Sequence, residues 1–320
     1  MVLEILVLHI EDLVHGHQEQ LRISKEFSIN INESRIYFST TYKGVKRTRF
    51  EQVMSEIRKT GIKNIELGST HIWDESIETN IPKLRKMNVL IHNFFPPSKD
   101  SEQILNIASL NKKILEASKR HIKTCIDFAS SINAKLYTIH PGFLADVVSS
   151  TQKKNQSSGY DFKFSRDRSD YEEAFSIMLE SLCELIEYTK NKQVNLAIET
   201  EGSMTNPDVL LMQHPDEYDR LFKQAPLDLG INFNLAHSFL SSKKNKFSLK
   251  NFISEFSDKF SAIELSHNEG FKDDHSPLVK GSFVFDWLEL LPGNIPLVLE
   301  FRDSTIDKLN DSRDLLLKRS

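Results

Sequence analysis

The chain is short of several things, and each shortage removes a class of protein. Only two of its 320 residues are cysteines, Cys125 and Cys183, and both fall inside helical patterns. That excludes a disulfide framework and a cysteine-based metal site, and it points to a reducing, cytoplasmic address. An excess of one charge is missing too: 41 lysines and arginines face 45 aspartates and glutamates, a formal net charge of −4. Such a balance supplies no phosphate-binding stripe, so nucleic acid is not an expected partner. No stretch approaches the roughly 18 apolar residues of a membrane helix, so no membrane partner is expected either. The opening M-V-L-E-I-L-V-L-H-I is apolar but short. It has no basic segment and no small-residue cleavage site, and it does not read as a leader.

What is present is a rhythm. A hydrophobic content of 39% suffices for a large core, and 27% charged residues suits a soluble globule. Residues 1–34 stand outside the repeat and read as an N-terminal extension, a hairpin or a lid, with strands at Leu3–Ile10 and Phe27–Ile31. From Arg35 onward, short apolar strands alternate with amphipathic helices. The strands are expected at Arg35–Thr40, Asn64–Leu67, Val89–His92, Ala134–His140, Val194–Glu199, Leu229–Asn234, Ala262–Ser266 and Pro296–Glu300. The helices between them are expected at Phe50–Lys59, Ile77–Met87, Ser109–Ile132, Tyr171–Thr189, Pro215–Gln224, Phe247–Phe256, Phe285–Leu291 and Thr305–Lys318. Two long loops, 144–169 and 267–283, break the spacing. Eight such units and no internal boundary predict an α/β fold, one (β/α)8 TIM barrel over residues 35–320.

Barrels of this kind keep their chemistry at the carboxyl ends of the strands. The fourth strand shows why to look there: A-K-L-Y-T-I runs into His140-Pro141-Gly142, and proline cannot continue the ladder. Read at every strand end, the chain offers His92, His140, Glu199, Asn234, Glu264 and Glu300. His237 lies just past the sixth strand, and His267, Asp273 and His275 lie in the loop after the seventh. One polar residue capping one strand is unremarkable. Polar residues on so many hydrophobic strands are costly unless they serve a metal or a substrate.

These residues resemble the xylose isomerase-like TIM barrels, the superfamily of AP endonuclease family 2 that holds endonuclease IV, the ketose 3-epimerases and inosose dehydratase. The resemblance spans roughly Arg35 to Arg302. It is carried by V-L-I-H-N (89–93), L-Y-T-I-H-P-G (136–142), L-A-I-E-T-E-G (196–202), G-I-N-F-N-L-A-H (230–237), D-D-H-S-P-L-V-K-G (273–281) and L-V-L-E (297–300). It implies one divalent metal held by strand-end Glu, Asp, His and Glu, here Glu199, Asn234, Glu264 and Glu300. Two positions depart: Asn234 stands for Asp, and Glu264 for His. One carboxylate is lost and one gained, so the formal ligand charge is kept. An all-oxygen shell favours Mg²⁺ or Mn²⁺ over Zn²⁺ or Co²⁺, with loss of the metal as the competing outcome.

The resemblance implies a sugar or sugar-phosphate isomerase or epimerase, moving a proton next to a carbonyl through an enediolate, with Glu199 and Glu300 as acid and base. His92, His140, His237, His267, Asp273 and His275 would bind substrate or orient ligands. Trp73 belongs with Phe94, Phe95, Phe143, Phe271 and Trp287 as an aromatic wall for a sugar, although core packing also explains such residues. Arg302 is placed to meet a substrate phosphate, as are Lys153, Lys154, Lys163, Arg166 and Arg168 if their loop is more than a solvated one. Two alternatives stand beside this reading. One is a metal-dependent phosphodiesterase on abasic DNA, because His92, His140, Glu199, His237, Asp273, His275 and Glu300 match much of the three-zinc set of endonuclease IV. The other is a non-catalytic or dehydratase relative that binds a carbohydrate-like ligand. A homodimer is compatible with a barrel of this size.

Overall fold

A computed structural model describes residues 31–44, 49–99, 104–152, 160–204 and 207–319. The strands in chain order are β1 (Ile36–Ser39), β2 (Asn64–Leu67), β3 (Asn88–His92), β4 (Leu136–Ile139), β5 (Val147–Gln152), β6 (Tyr160–Phe164), β7 (Asn195–Glu199), β8 (Leu229–Asn234), β9 (Phe260–Leu265) and β10 (Leu297–Leu299). The helices are α1 (Phe50–Thr60), α2 (Ser76–Thr79), α3 (Ile81–Leu84), α4 (Lys112–Ser131), α5 (Tyr171–Thr189), α6 (Pro215–Gln224), α7 (Leu235–Asn245), α8 (Leu249–Phe256) and α9 (Ile306–Leu317). Strands β1-β2-β3-β4-β7-β8-β9-β10 close a barrel, β5 and β6 standing apart as a two-stranded sheet. Every pair round the ring is parallel, including the closing pair that sets Ile36 against Leu297 and Tyr37 against Val298. The expected TIM barrel is the fold observed.

Side-chain parity sorts each strand into two faces. One set, including Ile36, Phe38, Ile65, Leu67, Ile91, Tyr137, Ile139, Leu196, Ile198, Ile231, Phe233, Ile263, Leu265, Leu297 and Leu299, joins the core between strands and helices. The alternate set turns inward, where Leu90, Leu136, Ala197, Ala262 and Val298 form a separate apolar plug with Tyr37 packed on it. Two residues further along the strands that supply this plug, the inward positions become polar. That change of character, at one level of the barrel, makes the site.

Helix ends follow local chemistry. Asp170 caps α5 by accepting the Glu172 and Glu173 N–H groups, and His214 with Glu217 forms a reciprocal capping box on α6. Four elements differ from expectation. The helix expected at Ile77–Met87 is two short ones, because Pro82 has no N–H for the Glu78 carbonyl and its ring would crowd it. Loop 144–169 contains the β5–β6 hairpin, whose Phe162 and Phe164 rings pack on Phe143 at 6.2 and 5.4 Å between centroids. The segment 285–291 forms two 3-10 turns, Phe283–Asp286 and Leu288–Leu290, since Pro292 stops it before an α ladder can propagate. Helix α7 was not expected: buried Ser238, Ser241 and Ser242 disguise its inner face. The hairpin or lid expected within residues 1–34 lies almost wholly outside the described residues. Among the described residues, no helix is long and apolar enough to cross a membrane.

The turn after β4 is locked by Asn106. Its Oδ1 accepts the Phe143 and Ala108 N–H groups at 2.9 and 3.1 Å, and its Nδ2 donates to the Phe143 carbonyl at 3.1 Å and to Asp146 at 2.8 Å. Gly142 makes room for it: φ is +98°, and a Cβ there would lie 2.5 Å from Asn106 Oδ1. Gly142→Ala should therefore destabilise the protein by at least about 1 kcal/mol in urea unfolding. An unchanged midpoint and slope would show that the turn is not under this constraint.

Candidate active site and metal-binding groups

The inward polar level is built from every strand of the barrel. Ser39, Glu66, His92, Thr138, Glu199, Asn232, Glu264 and Glu300 occupy it, all of them buried. One inward step higher stand His140, Glu201, Asn234 and Arg302, while His237 enters from the first turn of α7 and Asp273 and His275 from the loop after β9. Of the residues expected from the sequence, Glu199, Asn234, Glu264, Glu300, His92, His140, His237, Asp273, His275 and Arg302 are thus brought together. Glu66, Glu201 and Asn232 were missed. The signal for Glu66 was a lone carboxylate inside the apolar strand N-I-E-L; Glu201 and Asn232 lay in motifs from which only Glu199 and Asn234 were taken.

On one flank, His92 and His140 face Glu199. His92 Nδ1 lies 2.9 Å from Thr138 Oγ1, and its Nε2 is 3.6 Å from Glu199 Oε2. His140 Nδ1 donates to Glu201 Oε1 at 2.6 Å and stands 3.4 Å from Glu199 Oε2. On the other flank, His237 Nδ1 donates to the Thr200 carbonyl at 3.0 Å, leaving Nε2 toward Asp273 Oδ2 at 3.2 Å. His275 bridges Asp273 Oδ2 at 2.8 Å and Glu300 Oε2 at 3.1 Å. Its backbone is left-handed, φ +43°, a strained setting held by the Arg302 N–H donating to its carbonyl at 3.0 Å. Arg302 itself lies 3.7 Å from Glu300.

Between the flanks the contacts are amide to carboxylate. Asn234 Nδ2 donates to Glu199 Oε1 at 3.0 Å and to Glu264 Oε2 at 2.8 Å, and Asn232 Nδ2 donates to Glu264 Oε1 at 2.6 Å. Asn234 therefore turns hydrogens, not lone pairs, to this space. The set Glu199, Asn234, Glu264 and Glu300 is not an all-oxygen ligand shell in this structure.

The crowding of charge splits the acids into two kinds. Burial raises Glu199, but His140, His92 and His237 outweigh it and hold the carboxylate well below its ordinary range. Glu300 is likewise raised by burial, then brought down to about 2 by His275 and Arg302. Burial raises Glu66 to about 8, with the Glu300 charge adding to it, and lifts Glu264 well above its ordinary value with help from Glu199, Glu300 and Glu66. Burial lowers His92, and lowers His140 too, but Glu199 and Glu201 bring His140 up to about 9.

Three groups of side chains bring ligand atoms within 4.8 Å of one another: His92, His140 and Glu199; His237, Asp273 and His275; and Glu66, His92 and Glu264. Several of these atoms are buried without a hydrogen bond, among them Glu199 Oε2, Asp273 Oδ1 and Glu66 Oε1. Unsatisfied acceptors at this density fit a divalent cation. The first two groups fit best, because second contacts to Thr138, Glu201 and the Thr200 carbonyl orient their imidazoles.

Other expected residues lie apart. His267 Nε2 meets Glu269 at 3.2 Å, and its ring packs on Phe283. Trp73 packs on the outer core beneath Lys99, whose Nζ is 4.3 Å from the ring centroid. Phe94 stacks on His121, Phe95 is buried against Phe50, and Trp287 packs on the outer core, whereas Phe271 is exposed. Lys163, Arg166 and Arg168 are exposed, and Lys153 and Lys154 lie outside the described residues.

Comparison with known proteins agrees with this fold. The family described as xylose isomerase-like TIM barrel matches residues 48–292. An uncharacterized protein of Methanocaldococcus jannaschii is 26% identical over 260 residues, covering 80% of this chain and 87% of the relative. A D-tagatose 3-epimerase-like protein superposes with a TM-score of 0.66 at 16% identity, covering 89% of this chain and 96% of that one. The IolI protein with a bound zinc atom superposes with a TM-score of 0.61 at 12% identity, covering 89% and 96%. Sugar epimerases recur among further structural matches.

The charge pattern fixes the pH response of the metal-free protein. Glu66 and His140 are raised from 4.5 and 6.5 to about 8 and about 9, so the stability they contribute is lost as pH rises through those values. Glu300 is depressed, and its contribution is lost only as pH falls from 4.5 toward about 2. In a chelator, the melting temperature should fall steadily from pH 6.5 to 9, and a divalent cation added at pH 8 should reverse part of the fall. A melting temperature that is flat or rising over this range contradicts the assignment.

Proposed function

We propose, on the premise that the chain belongs to the xylose isomerase-like TIM-barrel family, that it is an isomerase or epimerase of a sugar or sugar phosphate. The observation that carries this reading is the pair Glu199 and Glu300. Both point into the barrel mouth, with β8 and β9 between their strands, and imidazoles hold both ionised. Glu199 Oε1 is fixed by Asn234, which leaves Oε2 without a protein hydrogen bond and free to take a proton from carbon. Glu300, backed by His275 and Arg302, faces the other side of the same carbon or its neighbour; it takes up a proton from solvent and delivers it there, and Glu199 returns the abstracted proton to solvent. Protonation on the opposite face gives an epimer; protonation on the adjacent carbon gives an isomer. His140, with Nδ1 committed to Glu201, offers Nε2 to a substrate hydroxyl.

A divalent cation is part of this reading, held by His237, Asp273 and His275, the group that leaves Glu199 Oε2 and the His140 ring open to the substrate. Imidazole donors favour Zn²⁺, Co²⁺ or Mn²⁺ over Mg²⁺, a different order from that expected of an all-oxygen shell. When bound, such an ion would acidify the C–H beside a chelated carbonyl and stabilise the enediolate. The free thiols Cys125 and Cys183 suit a reducing cytoplasm.

A second reading, hydrolysis of a phosphodiester on abasic DNA, is favoured by the same two histidine groups. The net charge of −4 speaks against it. One experiment separates the two. Ketoses and ketose phosphates are incubated with the protein in D2O under Zn²⁺, Co²⁺ and Mn²⁺ and followed by proton NMR. Deuterium should enter at the carbon beside the carbonyl, and Glu199→Gln and Glu300→Gln should each slow it about 10²-fold or more with the fold intact. Absence of exchange with every sugar, alongside cleavage of an abasic-site oligonucleotide, would replace this reading with the nuclease.

A further inference from the structure

Asn234 ends β8 and begins α7. Its Oδ1 accepts the His237 N–H at 3.1 Å, the bond that caps the helix. A backbone N–H can only donate, so this contact fixes the orientation of the amide and sends Nδ2 the other way. There it meets Glu199 Oε1 at 3.0 Å and Glu264 Oε2 at 2.8 Å. The remaining oxygen of Glu264 accepts from Asn232 at 2.6 Å. A cation arriving between Glu199 and Glu264 would face amide hydrogens bearing partial positive charge. Reversing the amide would strip the cap from α7 and leave the His237 N–H buried without its acceptor.

We infer that the middle of the barrel mouth is closed to cations: the Asn234 amide bridges Glu199 and Glu264 where a metal ion would otherwise sit, and the metal-holding capacity of the mouth lies in the two flanking histidine groups. The division of labour within Glu199 agrees with this. Its Oε1 is engaged by Asn234 and lies 3.1 Å from His237, while Oε2, without a hydrogen bond, faces His92 and His140. The same amide makes Asn234 a positioning residue, since it fixes which oxygen of Glu199 stays free.

The test is a count of bound metal per chain by elemental mass spectrometry after equilibrium dialysis against Mn²⁺. Asn234→Asp keeps the size of the side chain but exchanges the amide hydrogens for an oxygen among the carboxylates of Glu199 and Glu264. It should hold one ion more than the wild type. Asn234→Ser keeps an oxygen to cap α7 and removes the bridge, and it should hold at least as many ions as the wild type. An unchanged or lower count in Asn234→Asp, or one ion lost in Asn234→Ser, overturns the inference. Should Asn234→Asp fail to fold by circular dichroism, the serine variant decides alone. Because each comparison is with the wild type, the result stands apart from whether a sugar is turned over.

Discussion

Four carboxylates share the inside of one narrow barrel, and the rest of the site is arranged around the need to neutralise them. Glu66, Glu199, Glu264 and Glu300 are all buried at the level where the inward positions turn from apolar to polar. An ionised carboxylate taken from water costs several kcal/mol unless it is paired. Three devices meet that demand here. Imidazoles and Arg302 pair Glu199 and Glu300; asparagine amides satisfy Glu264; and burial keeps protons on Glu66 and Glu264 near neutral pH. Two carboxylates are thereby poised to accept protons while two beside them are held neutral. Pairs of acids driven apart in this way mark sites of proton transfer.

The scaffold keeps these devices rigid. The cap of α7 and the amide bridge are the same residue, so the placement of His237 and the state of Glu199 are mechanically joined through Asn234. Gly202 tightens that joint, because a Cβ there would lie 2.0 Å from the His237 carbonyl oxygen. Across the mouth, His275 is held in its left-handed backbone by Arg302, which also lies beside Glu300. Site geometry set by backbone contacts of this kind can stay precise without depending on the long β5–β6 loop.

Most of the fold was legible in the sequence, because parallel strands buried on both faces read as short apolar runs separated by amphipathic helices. Where the pattern was disturbed, it misled. Serines on the inner face hid α7, and Pro82 divided a segment whose periodicity was continuous. The site was legible as residues capping strands, which found His92, His140, Glu199, Glu264 and Glu300. It was not legible as depth. Glu66 lies within its strand, so reading strand ends passed over it, although strand parity puts it on the inside with Glu264. Nor could the sequence tell an amide oxygen from an amide nitrogen at Asn234. That depends on a helix beginning at the next residue, and α7 was the helix not foreseen.

The central claim is that these polar residues form one proton-transfer site whose metal ions, if any, sit at its flanks. Anomalous X-ray diffraction from a crystal soaked in Zn²⁺ or Mn²⁺ tests it most directly. The account predicts density beside His237, Asp273 and His275, or beside His92, His140 and Glu199, and none between Glu199 and Glu264. A single strong peak at the centre, ligated by Glu199, Asn234, Glu264 and Glu300 together, would contradict it.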